Sequence, residues 1–463
     1  MTSGSFRRLV LPMLMFGAIA CSGDSVEADA TGDVEIMPQP LVDPLSMPAE
    51  ATLSLDDFAG SAVCAACHPG HVKEWETSAH AYAMVDPVFR ALVRVRQKEK
   101  DGREDAFCNQ CHSNIGTRAR DVAPGFDYDA LAPITLEGVT CESCHRVTGL
   151  EREFNSGHVL DPLAPMGGSI KDPAPSAHHE SRYDPLFETS RFCSGCHDVV
   201  ELDGLNLERP FAEWSESPAK SSGTHCQNCH MPKREAIAAV GGPPRSVSSH
   251  RFLGVALPLF EGFIKDPAVE AELDLEIQEL LESAAELTLT AAPTSVALGG
   301  QLDVVVTIHN RIEAHNLPTG TTFLRQLWLD LTATDATGRK LYRTGQLDEN
   351  GDLLDYWSEL DPYGDPDLLT LNSRLVDERG QPTLFPWVAT EHISTAIAPG
   401  HHRTHTLFVP LDDEVKMPVT ITATLRFRSV PPYLLRALDL HELLGRVIIR
   451  DIATAVLQVS QAE

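Results

Sequence analysis

The chain has 463 residues, enough for about three domains. Its 43% hydrophobic content and mean hydropathy of −0.13 describe an ordinary globular chain and argue against collagen, wholesale disorder and a polytopic membrane protein. A formal charge of −29, from 66 acids against 37 bases, would be repelled by phosphate backbones and argues against nucleic acid as a partner.

Arg7 and Arg8 precede an apolar run from Leu9 to Ala20. The run is too short to span a bilayer and reads as the core of a signal peptide over residues 1–20. It ends Ala18-Ile19-Ala20-Cys21, which resembles a bacterial lipoprotein cleavage box and makes Cys21 the lipidated first residue, a lipid anchor to a membrane. A thiol left free in an oxidising compartment would be a liability, which favours this reading. Residues 21–58 hold nine acids, no Lys or Arg, and Pro38, Pro40, Pro44 and Pro48. With no helix or strand period, they read as a disordered acidic tether.

Residues 59–262 carry the chemistry. Besides Cys21 the cysteines form five C-x-x-C pairs, each followed at once by a histidine. They are Cys64 and Cys67 before His68, Cys108 and Cys111 before His112, Cys141 and Cys144 before His145, Cys193 and Cys196 before His197, and Cys226 and Cys229 before His230. C-x-x-C-H attaches c-type haem: two thiols three positions apart reach the two vinyl groups of one porphyrin, and the histidine sits beneath the iron. Zinc ribbons or redox dithiols do not explain a histidine after all five pairs, and five pairs cannot be shared among four-cysteine zinc sites without remainder. Five covalently bound haem c groups are predicted, with the ten cysteines as thioether partners and His68, His112, His145, His197 and His230 as proximal ligands.

Each iron has a sixth position, and the same region offers seven spare histidines: His71, His80, His158, His178, His179, His225 and His250. His80 follows Trp75 on a helix expected to start near Pro69 and is a candidate distal ligand. One of His178 and His179, in a loop before Cys193, is another, with His179 preferred. His250 follows the Gly/Pro/Ser-rich stretch 241–249. His158 and His225 are even-handed candidates, and His71 is the weakest because His68 is its close neighbour. Met84, Met166 and Met231 read as packing. Asp86-Pro87 can start a helix with Phe89, Leu92, Val93 and Arg96 on one face. Otherwise little apolar core is encoded here, and porphyrins would supply it.

Several strings resemble a known family: Glu74-Trp75-x-x-Ser78-x-His80, Gly138-Val139-Thr140-Cys141-Glu142-Ser143-Cys144-His145, Ser190-Arg191-Phe192-Cys193-Ser194-Gly195-Cys196-His197-Asp198, Glu213-Trp214-x-x-Ser217-Pro218 and Cys226-Gln227-Asn228-Cys229-His230-Met231-Pro232. Residues 60–252 are similar to the multihaem cytochromes c that include the electron acceptor of hydroxylamine oxidoreductase. The resemblance implies electron transfer, close-packed haems and paired histidine ligation, with His80, His179 and His250 at the family's distal positions. The family commonly has four haems in its core. The second and third motifs, and the fourth and fifth, are each 33 residues apart, and Glu-Trp-x-x-Ser occurs at 74–78 and again at 213–217, which hints at a duplicated module.

Asp266-Pro267 caps a helical pattern of Val269, Leu273, Ile277, Leu280, Leu281 and Ala284, a connecting helix over 263–284. Over 285–463 the period changes to alternation, with strands expected at 286–291, 302–308, 327–331, 340–344, 403–411, 419–427 and 447–459, which suggests a β-sandwich-like domain. One loop of it, Asn310–Gly320, holds His315-Asn316-Leu317-Pro318-Thr319-Gly320. Such strings occur in β domains attached to bacterial multihaem cytochromes, and His315 is a further candidate for a distal ligand. Asp348-Glu349-Asn350-Gly351-Asp352 reads as an acidic turn rather than a calcium loop. There is no nucleophile elbow, phosphate loop or dinucleotide fingerprint.

The expected fold class is thus α+β multidomain: a haem-dominated, helix-and-loop cytochrome domain followed by a β-sandwich-like domain. The expected function is electron relay between redox proteins by an exported, periplasmic or outer-membrane-associated pentahaem cytochrome with mostly bis-histidine haems. The alternative is an oxidoreductase with one open haem acting on a small nitrogen or sulfur compound. C-x-x-C-K, the lysine variant typical of pentahaem nitrite reductases, is absent.

Overall fold

Alternation decides the C-terminal part of the structure, a computed structural model that describes residues 50–292, 295–296 and 299–461. The signal peptide, Cys21 and most of the tether lie outside the described residues. Strand Gly300–Asn310 points Leu302, Val304, Val306 and Ile308 inward, all fully buried. It pairs antiparallel with Ala285–Ala292 on one side and His402–Leu411 on the other. The facing sheet orders Ser295–Val296, Arg450–Gln461, Val419–Arg428, Gln326–Thr334 and Lys340–Thr344. Leu327, Leu329 and Leu331 and Val419, Ile421, Ala423 and Leu425 join the first sheet's inward residues in one core. Two sheets closed on a shared apolar layer form a sandwich.

Helix Pro267–Ala284 starts where expected, with the Asp266 side chain accepting from Ala268 N. It does more than connect, because Leu273, Ile277 and Leu281 are buried in the sandwich core. A small third sheet of Ser373–Asp377, Pro382–Thr383 and Ala389–Ser394 was not expected from the sequence. Its strands are too short to show a period. In the acidic turn, Asp348 Oδ1 accepts from Asn350 N and Asp352 N at 2.8 and 2.9 Å, and its Oδ2 accepts from Ser358 Oγ at 2.7 Å. Asp352 pairs with Arg436. The carboxylates are used internally, and among the described residues no group of three or more His, Cys, Asp or Glu is arranged to hold a metal ion.

Upstream of the sandwich, regular structure comes in short pieces. The third and fifth motifs fill the one-turn helices Cys141–His145 and Cys226–His230, the second ends Asp105–His112, and the first and fourth begin on Ser61–Ala65 and Ser190–Ser194. His68 N donates to Cys64 O and His197 N to Cys193 O, an α-turn that puts the first cysteine and the histidine on one face. The helix expected to run from Pro69 to His80 is broken into Pro69–Trp75 and Ala79–Tyr82. The break follows from Thr77 Oγ1 donating to Glu74 O and Ser78 Oγ accepting from Ala81 N, which end one helix and cap the next. Pro87–Glu99 begins as predicted, with Asp86 as its cap.

Two boundaries move. Residues 52–58, read as the end of the tether, are part of the folded body: Thr52 N donates to Arg118 O, and Phe58 is buried with Ile115, Val147 and Leu160. The expected separate domains 59–262 and 285–463 share one compact unit. Val88 of Pro87–Glu99 is buried with Tyr433, Leu434 and Leu435, Leu207 with Leu375 and Ala389, and Trp387 Nε1 donates to Glu99 Oε2 at 2.6 Å. Among the described residues no helix is long and apolar enough to cross a membrane.

Leu329 is fully buried between the two sheets. Leu329→Ala should therefore cost about 2–5 kcal/mol of sandwich stability, read as an earlier chemical-denaturation midpoint in far-ultraviolet circular dichroism.

Candidate haem sites

The five motif histidines come from separate, short segments, and four of them meet a second imidazole. His68 stands 6.2 Å from His179, ring centre to ring centre, with 29° between their planes. His145 stands 6.2 Å from His250 at 21°. His197 stands 6.2 Å from His80 at 45°, and His230 stands 6.5 Å from His315 at 22°. Two metal–nitrogen bonds of about 2 Å each, extended by half a ring on either side, span about 6 Å. The gaps fit an iron held between two imidazoles.

The hydrogen bonds of the rings agree. His68 Nδ1 donates to Ala238 O at 2.7 Å, His112 Nδ1 to Ala83 O at 3.1 Å and His145 Nδ1 to Gly167 O at 2.6 Å. Among the distal candidates, His250 Nδ1 donates to Ser248 O at 3.0 Å and His315 Nδ1 to Asn316 O at 3.0 Å. A proton held on Nδ1 by a backbone carbonyl leaves the Nε2 lone pair free for a metal. Burial pushes His80 and His230 down to about 4 and His250 to about 3. It also lowers His112, His145 and His315. These rings are neutral imidazoles at pH 7, the form that binds iron.

Two of the candidate distal ligands, His158 and His225, are placed otherwise. His158 faces no motif histidine. Its Nε2 donates to Phe192 O at 2.7 Å, and its ring fills the space that a Cβ on Gly195 would occupy. His225 Nδ1 accepts from Ser190 N at 3.1 Å and its ring lies against Trp214. His178 is exposed, whereas His71 contacts His250 edge-on at 4.7 Å.

His112 differs from the other four. Its ring stacks on Phe89 at 3.8 Å and 4°. No second imidazole is in ring contact with it among the described residues, which include all 19 histidines. Beside it Arg96 is buried between Glu104 and Glu201 at 2.8 and 2.5 Å, with Nη1 3.8 Å from Cys108 Sγ. Neither neighbour was read as functional from sequence. The signal was present, since Phe89 and Arg96 share the apolar face of one helix, where a guanidinium needs a buried partner.

Among the described residues the ten motif cysteines form no disulfide, so both members of each pair stay available to a porphyrin. The motifs abut through some of them. Cys64 lies beside Cys141, Cys111 beside Cys196, and Cys193 beside Cys226. The first motif therefore touches the third, and the fourth touches both the second and the fifth. Cys67 is placed differently from its partner Cys64. It is half-buried, its N donates to Cys64 O at 3.1 Å, and its carbonyl accepts from Val240 N at 2.8 Å. Cys67 thus ties the first motif through its backbone to the segment between strands Lys233–Ile237 and Pro244–Ser248, whereas Cys64 meets a neighbouring motif through its thiol. Cys144 is half-buried, and Cys229 alone among the ten is exposed. Gly138, at φ +75°, lets the segment before the third motif pass under the backbone of His80, where a Cβ would lie 2.5 Å from His80 O.

A family model described as cytochrome c554 and c-prime matches residues 63–146, which hold the first three motifs. The crystal structure of a penta-haem cytochrome c552 from Thermochromatium tepidum is similar at a TM-score of 0.60 and 22% identity, over 87% of this chain and 99% of that one. The chain has the fold of a multihaem cytochrome c. Cytochromes of this kind carry haem bound covalently through their cysteines and exchange electrons with redox proteins. Spo0M from Bacillus subtilis and the DNA glycosylase AlkC from Pseudomonas fluorescens reach TM-scores of only 0.17 and 0.16, too low to indicate a shared fold. No curated protein matches.

Because His158 packs rather than faces a motif histidine, His158→Ala should lower stability by about 1–3 kcal/mol through its lost hydrogen bond and volume while adding no high-spin signal. Chemical denaturation checks the first half and electron paramagnetic resonance of the oxidised protein the second; a new high-spin haem would make His158 a ligand after all.

Proposed function

We propose that this chain is an exported cytochrome that relays electrons between redox proteins through five covalent haems, four of them held by histidine pairs. The observation that carries this reading is the set of four imidazole pairs at 6.2–6.5 Å. The five motifs and the likeness to a penta-haem cytochrome support the number. When bound, the haems supply one-electron chemistry. The chain's part is to clamp four of the irons between Nε2 atoms, exclude water from the buried rings, and hold motifs against one another so that electrons need only short steps. Two imidazoles leave no open position, and ligation without methionine, together with the charge of −29, favours low potentials. Export and lipid anchoring at Cys21 belong to the same proposal and rest on the N-terminal sequence.

A second reading attaches to the second motif, where His112 has Phe89 rather than a second imidazole beside it. An iron held there from one side would bind a small ligand, and the chain would then be an oxidoreductase acting on a small nitrogen or sulfur compound. Carbon monoxide addition to the reduced protein decides between the two. One equivalent bound, with one high-spin ferric haem, favours the second reading; none bound leaves the relay alone.

Mass spectrometry should find five haems that survive acid-acetone extraction. A smaller number, with free thiols at one motif, would remove that motif from the relay. Replacing His80, His179, His250 or His315 by Ala should each convert one haem to high spin, one at a time. Cys21→Ser should release the protein from the membrane fraction with its haem content intact, and unchanged attachment would rule out the anchor.

A further inference from the structure

The two Glu-Trp-x-x-Ser strings share equivalent hydrogen bonds at the tryptophan and at the position five residues beyond it. In the first, Trp75 Nε1 donates to Val139 O at 2.8 Å, two residues before Cys141 of the third motif. In the second, Trp214 Nε1 donates to Thr224 O at 2.8 Å, two residues before Cys226 of the fifth. Val139 N donates to His80 O at 3.1 Å, and Thr224 N to Ala219 O, its counterpart, at 2.8 Å. The glutamates face the other way. Glu74 Oε2 accepts from His250 N at 2.8 Å. Glu213 Oε2 accepts from Asn316 N at 3.1 Å and from Thr319 Oγ1 at 2.5 Å.

His250 stands opposite His145 of the third motif, and His315, next to Asn316, stands opposite His230 of the fifth. Each tryptophan thus grips the segment that carries a haem's cysteines, and the adjacent glutamate grips the segment that brings the facing histidine to the same haem. Both tryptophans are buried at 8% exposure, so each dipeptide is anchored in packed structure.

We infer that Glu74-Trp75 and Glu213-Trp214 are duplicated clamps whose residues position the two axial ligands of the third and fifth haems against each other. This rests on the bis-histidine reading of those haems. Glu213 has the larger task, because its ligand loop belongs to the sandwich, more than 100 residues away in sequence. Without its carboxylate, Asn316 N and the Thr319 hydroxyl lose their shared acceptor, and His315 is held less firmly at bonding distance. These four are positioning residues, since none faces the iron.

The test uses the full haem-loaded protein and carbon monoxide. In Glu213→Ala, the reduced protein should bind one equivalent more than the parent, or bind it at least about tenfold faster as His315 leaves the iron more often. Tenfold is the least that one hydrogen bond to a charged group is worth. Glu213→Gln, which keeps an acceptor oxygen, should restore the parent behaviour, and Thr319→Val, a milder change that spares folding, should raise the rate part-way. A double variant Glu213→Ala/His315→Ala should bind no more carbon monoxide than His315→Ala alone, because both act on one haem. Glu74→Ala should do the same with His250→Ala at the third haem. Parent-like spin state and binding rate in Glu213→Ala and Thr319→Val, alongside a clear gain in His315→Ala, would overturn the clamp. No gain in His315→Ala would instead overturn the bis-histidine reading of the fifth haem.

Discussion

An iron between two imidazoles demands that two rings from distant parts of the chain be held about 6 Å apart with their Nε2 atoms facing. On the proposed bis-histidine ligation, the rest of this structure answers that demand. The five motif histidines come free with the motif, since the turn that carries the cysteines also carries the ring. The facing rings do not. They come from a helix start at His80, a loop at His179, the end of a hairpin at His250 and a loop of the sandwich at His315. At His250 and His315 a backbone carbonyl fixes the direction of the ring.

That need explains why the two halves of the chain form one body. The sandwich is well packed by itself, with a core drawn from both of its sheets. Yet it brings His315 opposite His230, seats its Tyr433–Leu435 segment against Val88, and uses Trp387 to hold Glu99 at the end of the helix that carries Phe89 and Arg96. A freely moving domain would not keep those two rings at a fixed separation.

Periodicity and spacing made part of this legible. The strands of the sandwich alternate over long stretches, so their positions could be read within a few residues, and C-x-x-C-H names its own chemistry. Of the histidines, His80 sits in a string with recognisable neighbours, His179 and His250 are placed as distal by the family resemblance, and the structure brings each opposite a motif histidine. His158 and His225 had no such distinction in sequence. Only the fold shows that one fills the space beside Gly195 and the other caps a helix near Ser190. Nor could spacing tell Cys64 from Cys67, because their different surroundings are set by segments far along the chain, at Cys141 and Val240. The contact between the halves was not legible because its residues come from short segments, too few in each to reveal a period. The break after Trp75 was missed for a similar reason, since two side-chain hydrogen bonds at Thr77 and Ser78 outweigh a helical pattern.

Ala219 occupies in the second Glu-Trp-x-x-Ser unit the place that His80 occupies in the first. In the first unit that position offers a ring to a neighbouring motif, while in the second it offers a methyl group. The first unit thus reaches the fourth motif through His80, whereas the second carries at that position no side chain long enough to reach another.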